Sequence, residues 1–227
     1  MFRYLIICLF IALFAVDGVA QVTVGLHGGA NFSRMDFTNN PEYKFTEIKA
    51  QSGFLGGVVV QFIPEKHAGL QAEFNYSQKG WIEMDTTMGK ELQYKNKLDY
   101  VELPILTHIN IGAGNFRGLL NLGPYLGYAL NSSTKLTNLQ TGTSQTTKHD
   151  FDNDKDNRID FGLLLGFGFE YRLALGKLAI EARYSIGLGD LNKDKASQSE
   201  VSQFRVLGVL LRYSIPLQAR ESKTDQQ

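Results

Sequence analysis

Apolar and polar side chains alternate with a period of two along most of the chain after Gln21. The segment Leu70–Ser77, for example, sets leucine, alanine, phenylalanine and tyrosine against glutamine, glutamate, asparagine and serine. Alternation of this kind is typical of β-strands with two unlike faces, and no convincing helical period of useful length competes with it. It predicts eight strands, near residues 22–33, 53–62, 69–78, 98–111, 119–131, 159–172, 178–188 and 204–217. The chain is therefore predicted to be all-β.

The connections between these strands alternate in length. The long ones span residues 34–52, 79–97, 132–158 and 189–203, and the short ones span 63–67, 112–118 and 173–177. Long loops at one end and short turns at the other are typical of outer-membrane barrels, whose short turns face the periplasm. The predicted fold class is an all-β, eight-stranded antiparallel up-and-down transmembrane β-barrel with both termini on the short-turn side.

The two faces of the predicted strands separate a membrane barrel from a soluble one. The apolar face has aromatic side chains near strand ends, where the interface girdles of membrane proteins lie. The opposite face combines glycines with seven charged residues, namely Glu73, Glu102, Glu170, Arg172, Glu181, Arg183 and Arg212. A soluble barrel would turn its apolar face inward, whereas the narrow lumen of an eight-stranded membrane barrel is filled by side chains. We interpret these charges as a salt-bridge plug, with a proton path or a substrate site as alternatives.

The first 20 residues resemble a secretory signal peptide. The apolar run Tyr4–Val16 is followed by small residues at Gly18 and Ala20, which favours cleavage after Ala20. This run is shorter than the roughly 20 residues that a membrane-spanning helix needs. The only cysteine, Cys8, lies within it, so neither disulfides nor a thiol nucleophile are expected in the mature chain. The predicted organisation is a signal peptide at 1–20, a barrel domain at 21–217 and a polar tail at 218–227.

The balance of basic and acidic residues limits the possible partners, and one acidic segment is a candidate metal site. The chain has 23 basic and 23 acidic side chains, so no nucleic-acid partner is predicted. Asp152, Asp154 and Asp156 occupy positions 1, 3 and 5 of a calcium-binding loop. Leu163 stands at position 12, where such a loop needs a bidentate glutamate. A weak calcium site and a solvated acidic loop are therefore both open.

No catalytic constellation is predicted. His27 and His108 face the predicted lumen, and no two histidines have the spacing of metal ligands. A nucleophile, base and acid drawn from Ser33, His27 and Asp36 have no feature that positions them together. We therefore predict no catalytic residue and no cofactor.

Six segments resemble the PorT-like outer-membrane β-barrel family, in the same order. They are VGLHGGANFS, LQAEFNYSQKGW, YVELPIL, NLGPYLGY, IDFGLLLGFGFEY and ARYSIGLGDL. The resemblance implies a small, signal-bearing outer-membrane barrel, and most members of that family have no assigned activity. One departure is the tail QARESKTDQQ after Leu217, because barrels of this type commonly finish near a terminal aromatic residue.

The predicted function is a structural or interaction role in the outer membrane. The partners would be the lipid bilayer and an envelope or extracellular protein, contacted through four long loops outside the cell. An accessory component of outer-membrane transport or protein secretion is an alternative, and an outer-membrane barrel enzyme is another.

Overall fold

The computed structural model describes residues 21–38, 47–64, 67–85, 91–151, 157–190 and 201–217. The strands in these ranges are β1 Gln21–Thr38, β2 Glu47–Ile63, β3 Ala68–Asp85, β4 Leu92–Ile111, β5 Phe116–Asn138, β6 Ser144–His149, β7 Ile159–Leu173, β8 Gly176–Gly187 and β9 Val201–Pro216. No helix in the described part of the chain has the length and apolar character needed to cross a membrane. The predicted signal peptide, the acidic residues 152–156 and the C-terminal tail lie outside these ranges and stay predictions.

Eight of the strands close into a ring. Each of β1, β2, β3, β4, β5, β7, β8 and β9 pairs antiparallel with two neighbours, and β1 with β9 closes the barrel. Closure gives the backbone groups of every wall strand a partner, which the hydrocarbon of a bilayer requires. β6 lies outside the ring and pairs only with the outer end of β5, from Ser132↔His149 to Thr137↔Ser144. The predicted eight-stranded up-and-down barrel is confirmed, with one additional strand beside it.

The strands run much further on the long-loop side than their alternation predicted. β3 continues to Asp85 and β4 begins at Leu92, although the sequence pattern assigns residues 79–97 to a loop. That assignment was wrong because the contrast between faces fades beyond the lipid, where both faces carry polar residues. A strand crosses a bilayer with about 9–11 residues, whereas β3 has 18 and β5 has 23. The wall therefore projects well beyond the membrane on this side.

The outward face of the ring is an apolar belt. Leu26, Phe167 and Leu211 are 67%, 62% and 57% exposed, as are many other large apolar side chains of the wall. A continuous exposed apolar surface of this extent suits hydrocarbon as its solvent. Aromatic side chains lie at its outer margin (Phe32, Tyr76, Tyr128) and at its periplasmic margin (Phe62, Tyr171, Tyr213). The outer three lie well within the extended strands and not near strand ends, so the aromatic girdles stay a prediction.

The short connection between β4 and β5 is a tight turn. Residues 112–115 join β4 to β5, where Gly112 and Gly114 have φ values of 113° and 78°. Side chains with a Cβ rarely adopt such values, so glycine is required at both positions. The Arg117 Nε donates to the Gly114 carbonyl at 3.2 Å and fixes the turn from the lumen side.

Candidate functional site

A charged network crosses the middle of the lumen and is centred on Arg183 of β8. The Arg183 Nη1 and Nη2 atoms donate to the two carboxylate oxygens of Glu73 on β3 at 2.7 and 2.6 Å. The Arg183 Nε also donates to Glu181 at 2.8 Å. None of the three side chains is more than 5% exposed, so this bidentate pair spans the barrel almost entirely shielded from bulk solvent. The arrangement is a plug that ties opposite walls together.

Amide side chains complete the network around Glu73. Gln71 and Asn75 donate to its carboxylate at 2.5 and 2.8 Å, and the His27 imidazole lies 2.8 Å from the Asn75 amide oxygen. Arg212 of β9 reaches Gln71 at 2.9 Å and Glu181 at 3.4 Å. Two arginines and two carboxylates are thus joined by neutral donors and acceptors. This satisfies the requirement that buried charges be paired and hydrogen-bonded.

A second charged group lies closer to the outside and is centred on Lys79 of β3. The Lys79 Nζ is 2.6 Å from Glu102 and 2.8 Å from Asp160, and the lysine side chain is 2% exposed. The rings of Tyr125, Tyr100 and Phe204 surround the same ammonium group at 4.8, 5.1 and 5.4 Å. Carboxylates and aromatic faces together replace the hydration shell of the ammonium. Lys79 therefore fills a cation cage with its own side chain.

A small cavity separates the two charged groups. Its volume is about 30 Å³, and its lining includes Asn75 and Arg183 from the central network and Lys79 and Glu102 from the outer one. A space of this size and polarity accommodates one or two water molecules. It is too small for a sugar, nucleotide or peptide.

Apolar side chains close the outer end of the lumen above Lys79. The cluster consists of Met35, Leu98, Tyr100, Ala129, Phe204 and Val206, with Phe37, Trp81 and Phe151 packed against it. Phe151, two residues after the end of β6, packs against this cluster and adds to the cover of the mouth. A dry apolar layer over a salt-bridge plug opposes the passage of ions.

The periplasmic end of the lumen is polar. Lys177 of β8 lies 3.5 Å from Glu170, and the His108 Nδ1 lies 2.6 Å from the Asn121 amide oxygen. Arg172 is half-buried and stands opposite Lys177 in the ladder. These contacts are short links between neighbouring strands, unlike the central network, which crosses the barrel.

The seven charges named by the sequence do not form one group. Glu73, Glu181, Arg183 and Arg212 meet in the centre, Glu102 belongs to the Lys79 cage, and Glu170 and Arg172 lie at the periplasmic end. Lys79 and Lys177 are lumen cations that were not predicted, because the alternation of apolar and polar residues assigned both to connections. Their alternation with Ser77 and Ala179 was the signal that would have placed them on the inner face.

Among the residues that the structure describes, the candidate catalytic residues do not come together. The Ser33 hydroxyl donates to the Gly80 carbonyl, and His27 is engaged with Asn75. Asp36 pairs with Arg34 and Arg205, so the imagined set of Ser33, His27 and Asp36 is not assembled. Among residues 21–38, 47–64, 67–85, 91–151, 157–190 and 201–217, no group of three histidine, aspartate or glutamate side chains is placed to hold a metal. Asp152, Asp154 and Asp156 lie outside these ranges, so the calcium interpretation stays a prediction.

Comparisons with known proteins point to one family. Residues 19–193 match the family model for the outer membrane protein beta-barrel domain. The fold is similar to the outer membrane protein OprG from Pseudomonas aeruginosa, with 11% identity, a TM-score of 0.50 and coverage of 87% of this chain and 98% of that one.

Two further solved structures are similar at lower scores. For Ail, the attachment invasion locus protein of Yersinia pestis, the identity is 14%, the TM-score 0.42 and the coverage 85% of this chain and 98% of that one. For a major outer membrane protein from Thermus thermophilus, the identity is 12%, the TM-score 0.46 and the coverage 86% of this chain and 99% of that one. No curated protein sequence matches the chain.

Proposed function

We propose, from the premise that this chain belongs to the outer membrane protein beta-barrel domain family, that it is a non-conducting structural and interaction protein. Its site of action is the outer membrane. In this proposal the barrel anchors the chain in lipid, and the part of the wall that projects outside contacts an envelope or extracellular protein. The kinship with PorT-like barrels that the six sequence segments imply is part of the same proposal, as is the absence of catalysis.

The central observation is the closed lumen. The pair between Arg183 and Glu73 joins β8 to β3 across the barrel, and Lys79 with its carboxylates forms a second layer above it. The apolar cluster around Tyr100 and Phe204 covers both layers. Because the layers are stacked, a solute would have to break several buried ion pairs to pass. This arrangement favours a role at the surface over transport through the barrel.

The outer end of the wall supports the interaction role. The outer parts of β2, β3, β4 and β5 continue as a sheet beyond the lipid belt, and β6 adds a fifth strand to it. All six residues of β6 are exposed. Rigid strands thus carry the connecting loops away from the membrane, which is how binding segments are commonly presented.

Planar-bilayer recording tests the closed lumen. We expect no stepwise currents from the purified protein, while a porin with a wider, water-filled barrel conducts under the same conditions. Reproducible single-channel steps from the folded protein would contradict the proposal.

The interaction role is tested by crosslinking intact cells and identifying the proteins that copurify from detergent-solubilised outer membrane. A variant in which residues 137–144 are replaced by Asn-Gly removes the tip of the β5–β6 hairpin and keeps the barrel wall, since this dipeptide favours a tight hairpin. We expect the variant to fold and to lose crosslinked partners. An unchanged set of partners, or none with the native chain, would count against a role for this part of the surface.

A further inference from the structure

The sheet that projects beyond the lipid belt has one basic face. Neighbouring strands align its residues in two rows, Lys49↔Ile82↔Lys95↔Lys135↔Thr146 and Gly80↔Lys97↔Ser133↔Lys148. We call the five lysines of these rows, Lys49, Lys95, Lys97, Lys135 and Lys148, the lysine face. Four strands, β2, β4, β5 and β6, contribute to it. The sequence does not bring these residues together, because they lie in three separate segments that the alternation assigned to loops.

The lysine face points away from the lumen. On β4, Lys95 and Lys97 alternate with Leu98 and Tyr100, which are 5% and 0% exposed and belong to the inner apolar cluster. Successive side chains of a strand point to opposite sides. The lysines therefore share the outward face with Leu103, which is 47% exposed in the lipid belt. The outward surface is therefore apolar within the lipid belt and carries the lysines in the part that projects beyond it.

The positive charges are only partly balanced. Lys49 lies 3.1 Å from Glu47, and Lys97 lies 4.0 Å from Asp99, whose carboxylate also accepts from Gln78 at 3.1 Å. Among the described residues, no carboxylate forms an ion pair with Lys95, Lys135 or Lys148. Of the five lysines, two have a carboxylate partner and three have no ion-paired carboxylate among the described residues.

Two of the lysines stand directly opposite each other. Lys95 and Lys135 are ladder partners on β4 and β5. Like charges in directly opposed positions destabilise a sheet. An anion placed between the two ammonium groups relieves this repulsion, so the pair is a position where a phosphate gains most from binding.

The height of the face matches the headgroups of the outer leaflet. Val101 belongs to the outer margin of the apolar belt on β4. Lys97 and Lys95 precede it in the chain by four and six residues and lie further from the membrane. At about 3.3 Å per residue and a tilt of about 45°, they lie roughly 9 and 14 Å further out. The polar layer of a leaflet is about 5–8 Å thick, and a lysine side chain extends back toward it. The ammonium groups are therefore level with, or just above, the charged part of the lipid.

We propose that the lysine face binds the phosphorylated saccharide headgroups of lipids in the outer leaflet of the membrane that holds the barrel. Clusters of four to eight basic side chains beside a membrane surface are typical of anionic lipid recognition. The continuity of the face with the lipid belt favours a lipid of the same membrane over a soluble polyanion. This inference is independent of the closed lumen, since it concerns the opposite side of the wall.

The test compares two lipid probes in detergent micelles, diphosphoryl lipid A and its dephosphorylated form. The test variant combines K95Q, K97Q, K135Q and K148Q. The control combines S133Q, T137Q, S144Q and T146Q, which change the same face on β5 and β6 without removing charge. A heat-dependent shift in gel mobility establishes that each variant is folded, and the barrel wall below the face is left unchanged.

We expect the native chain and the control to bind the diphosphoryl probe about tenfold or more tightly than the dephosphorylated one. This preference is expected to vanish in the test variant, and about 0.5 M NaCl is expected to weaken it in the native chain. Equal affinity for the two probes, or a preference that survives in the test variant, overturns the proposal. Tight binding of heparin with no preference between the lipids also overturns it and assigns the face to a soluble polyanion.

The double variant K95Q/K135Q addresses folding directly. It removes the opposed charges, so its stability is expected to equal or exceed that of the native chain while its phosphate preference falls. A loss of preference in this variant cannot be attributed to misfolding. A double variant that is less stable, with its preference intact, contradicts the assignment of this pair to phosphate binding.

Discussion

Replacing Arg183 by methionine perturbs the plug at its centre. The substitution keeps much of the side-chain volume and removes the guanidinium that bonds to Glu73 at 2.7 and 2.6 Å and to Glu181 at 2.8 Å. Afterwards Glu73 keeps only the amide donors Gln71 and Asn75, at 2.5 and 2.8 Å. Glu181, which is fully buried, keeps a single contact with an arginine at 3.4 Å.

Removing one partner of a buried ion pair costs about 3–5 kcal/mol, because the remaining charge is left without compensation. We expect Arg183→Met to lower the free energy of unfolding by an amount in this range. Two carboxylates lose a partner, and the two amides that still donate to Glu73 compensate part of the loss. The double variant Glu73→Gln with Arg183→Met leaves one carboxylate, Glu181, facing one arginine, Arg212. Because this remaining pair of charges is neutral overall, the double variant is expected to lose only about 1–2 kcal/mol of unfolding free energy. The second substitution therefore restores stability, although it removes a further charge.

The free energy of unfolding is measured by urea titration in lipid vesicles, followed by the fluorescence of Trp81, the only tryptophan. Arg205→Met is the matched control, because Arg205 pairs with Asp36 at 3.4 Å on the outside and its side chain is 23% exposed. Exposed pairs contribute about 0–1 kcal/mol. The reasoning is refuted if Arg183→Met costs no more than the control, or if the double variant is less stable than the single one.

Three further substitutions test the cage, the lumen packing and the lipid face by the same measurement. Lys79→Met removes the cation from the buried Asp160 and the 13% exposed Glu102 and is expected to cost about 3–5 kcal/mol; a loss under about 1 kcal/mol contradicts the cage. Gly166→Ala would place a Cβ against the Glu181 Oε1, its nearest atom, and 3.0 Å from the Glu181 Cδ, and is expected to cost about 1–3 kcal/mol. Gly56→Ala meets its nearest atom at 3.5 Å, so equal losses at the two glycines would refute the packing argument. Leu211→Arg in the lipid belt is expected to cost about 2–4 kcal/mol, whereas Leu139→Arg, in the turn after β5, is expected to change stability by less than about 0.5 kcal/mol.

The sequence was sufficient to predict the barrel strands within the lipid belt, because one face of each strand contacts lipid there and the other faces the lumen. On β7, for example, Phe161 and Leu163 face lipid while Asp160 and Gly162 face the lumen, and alternation alone separates them. Beyond the belt this contrast is lost. Lys79 illustrates the consequence, because it follows a clear strand by only two residues and was still assigned to a loop.

The contacts inside the lumen could not be predicted, because they depend on register and shear around the ring. Glu73 and Arg183 are 110 positions apart in the chain and meet from opposite walls. The alternation places both side chains in the lumen but does not give their heights along the barrel axis. The division of the seven predicted charges into three groups therefore required the full set of strand pairings.

The overall neutrality of the chain also concealed the lysine face. Equal numbers of basic and acidic residues argued against a nucleic-acid partner, but the net charge does not describe how charges are distributed over a surface. The five lysines become neighbours only through the pairing of β2 to β6. A charge count by strand face would have found them once the strand ends were known.

The two charged regions differ in a way that separates folding from binding. Inside the lumen every charge has to find a partner in the protein, because no solvent compensates it, so substitutions there act on stability. On the lysine face the side chains stand in the headgroup layer, where unpaired charge costs little and remains available to a ligand. Variants of Arg183 are therefore expected to unfold more easily while keeping the phosphate preference of the folded protein. Variants of Lys95 and Lys135 are expected to lose that preference without loss of stability, and a single variant that lowers both would show that the two regions are coupled through the wall.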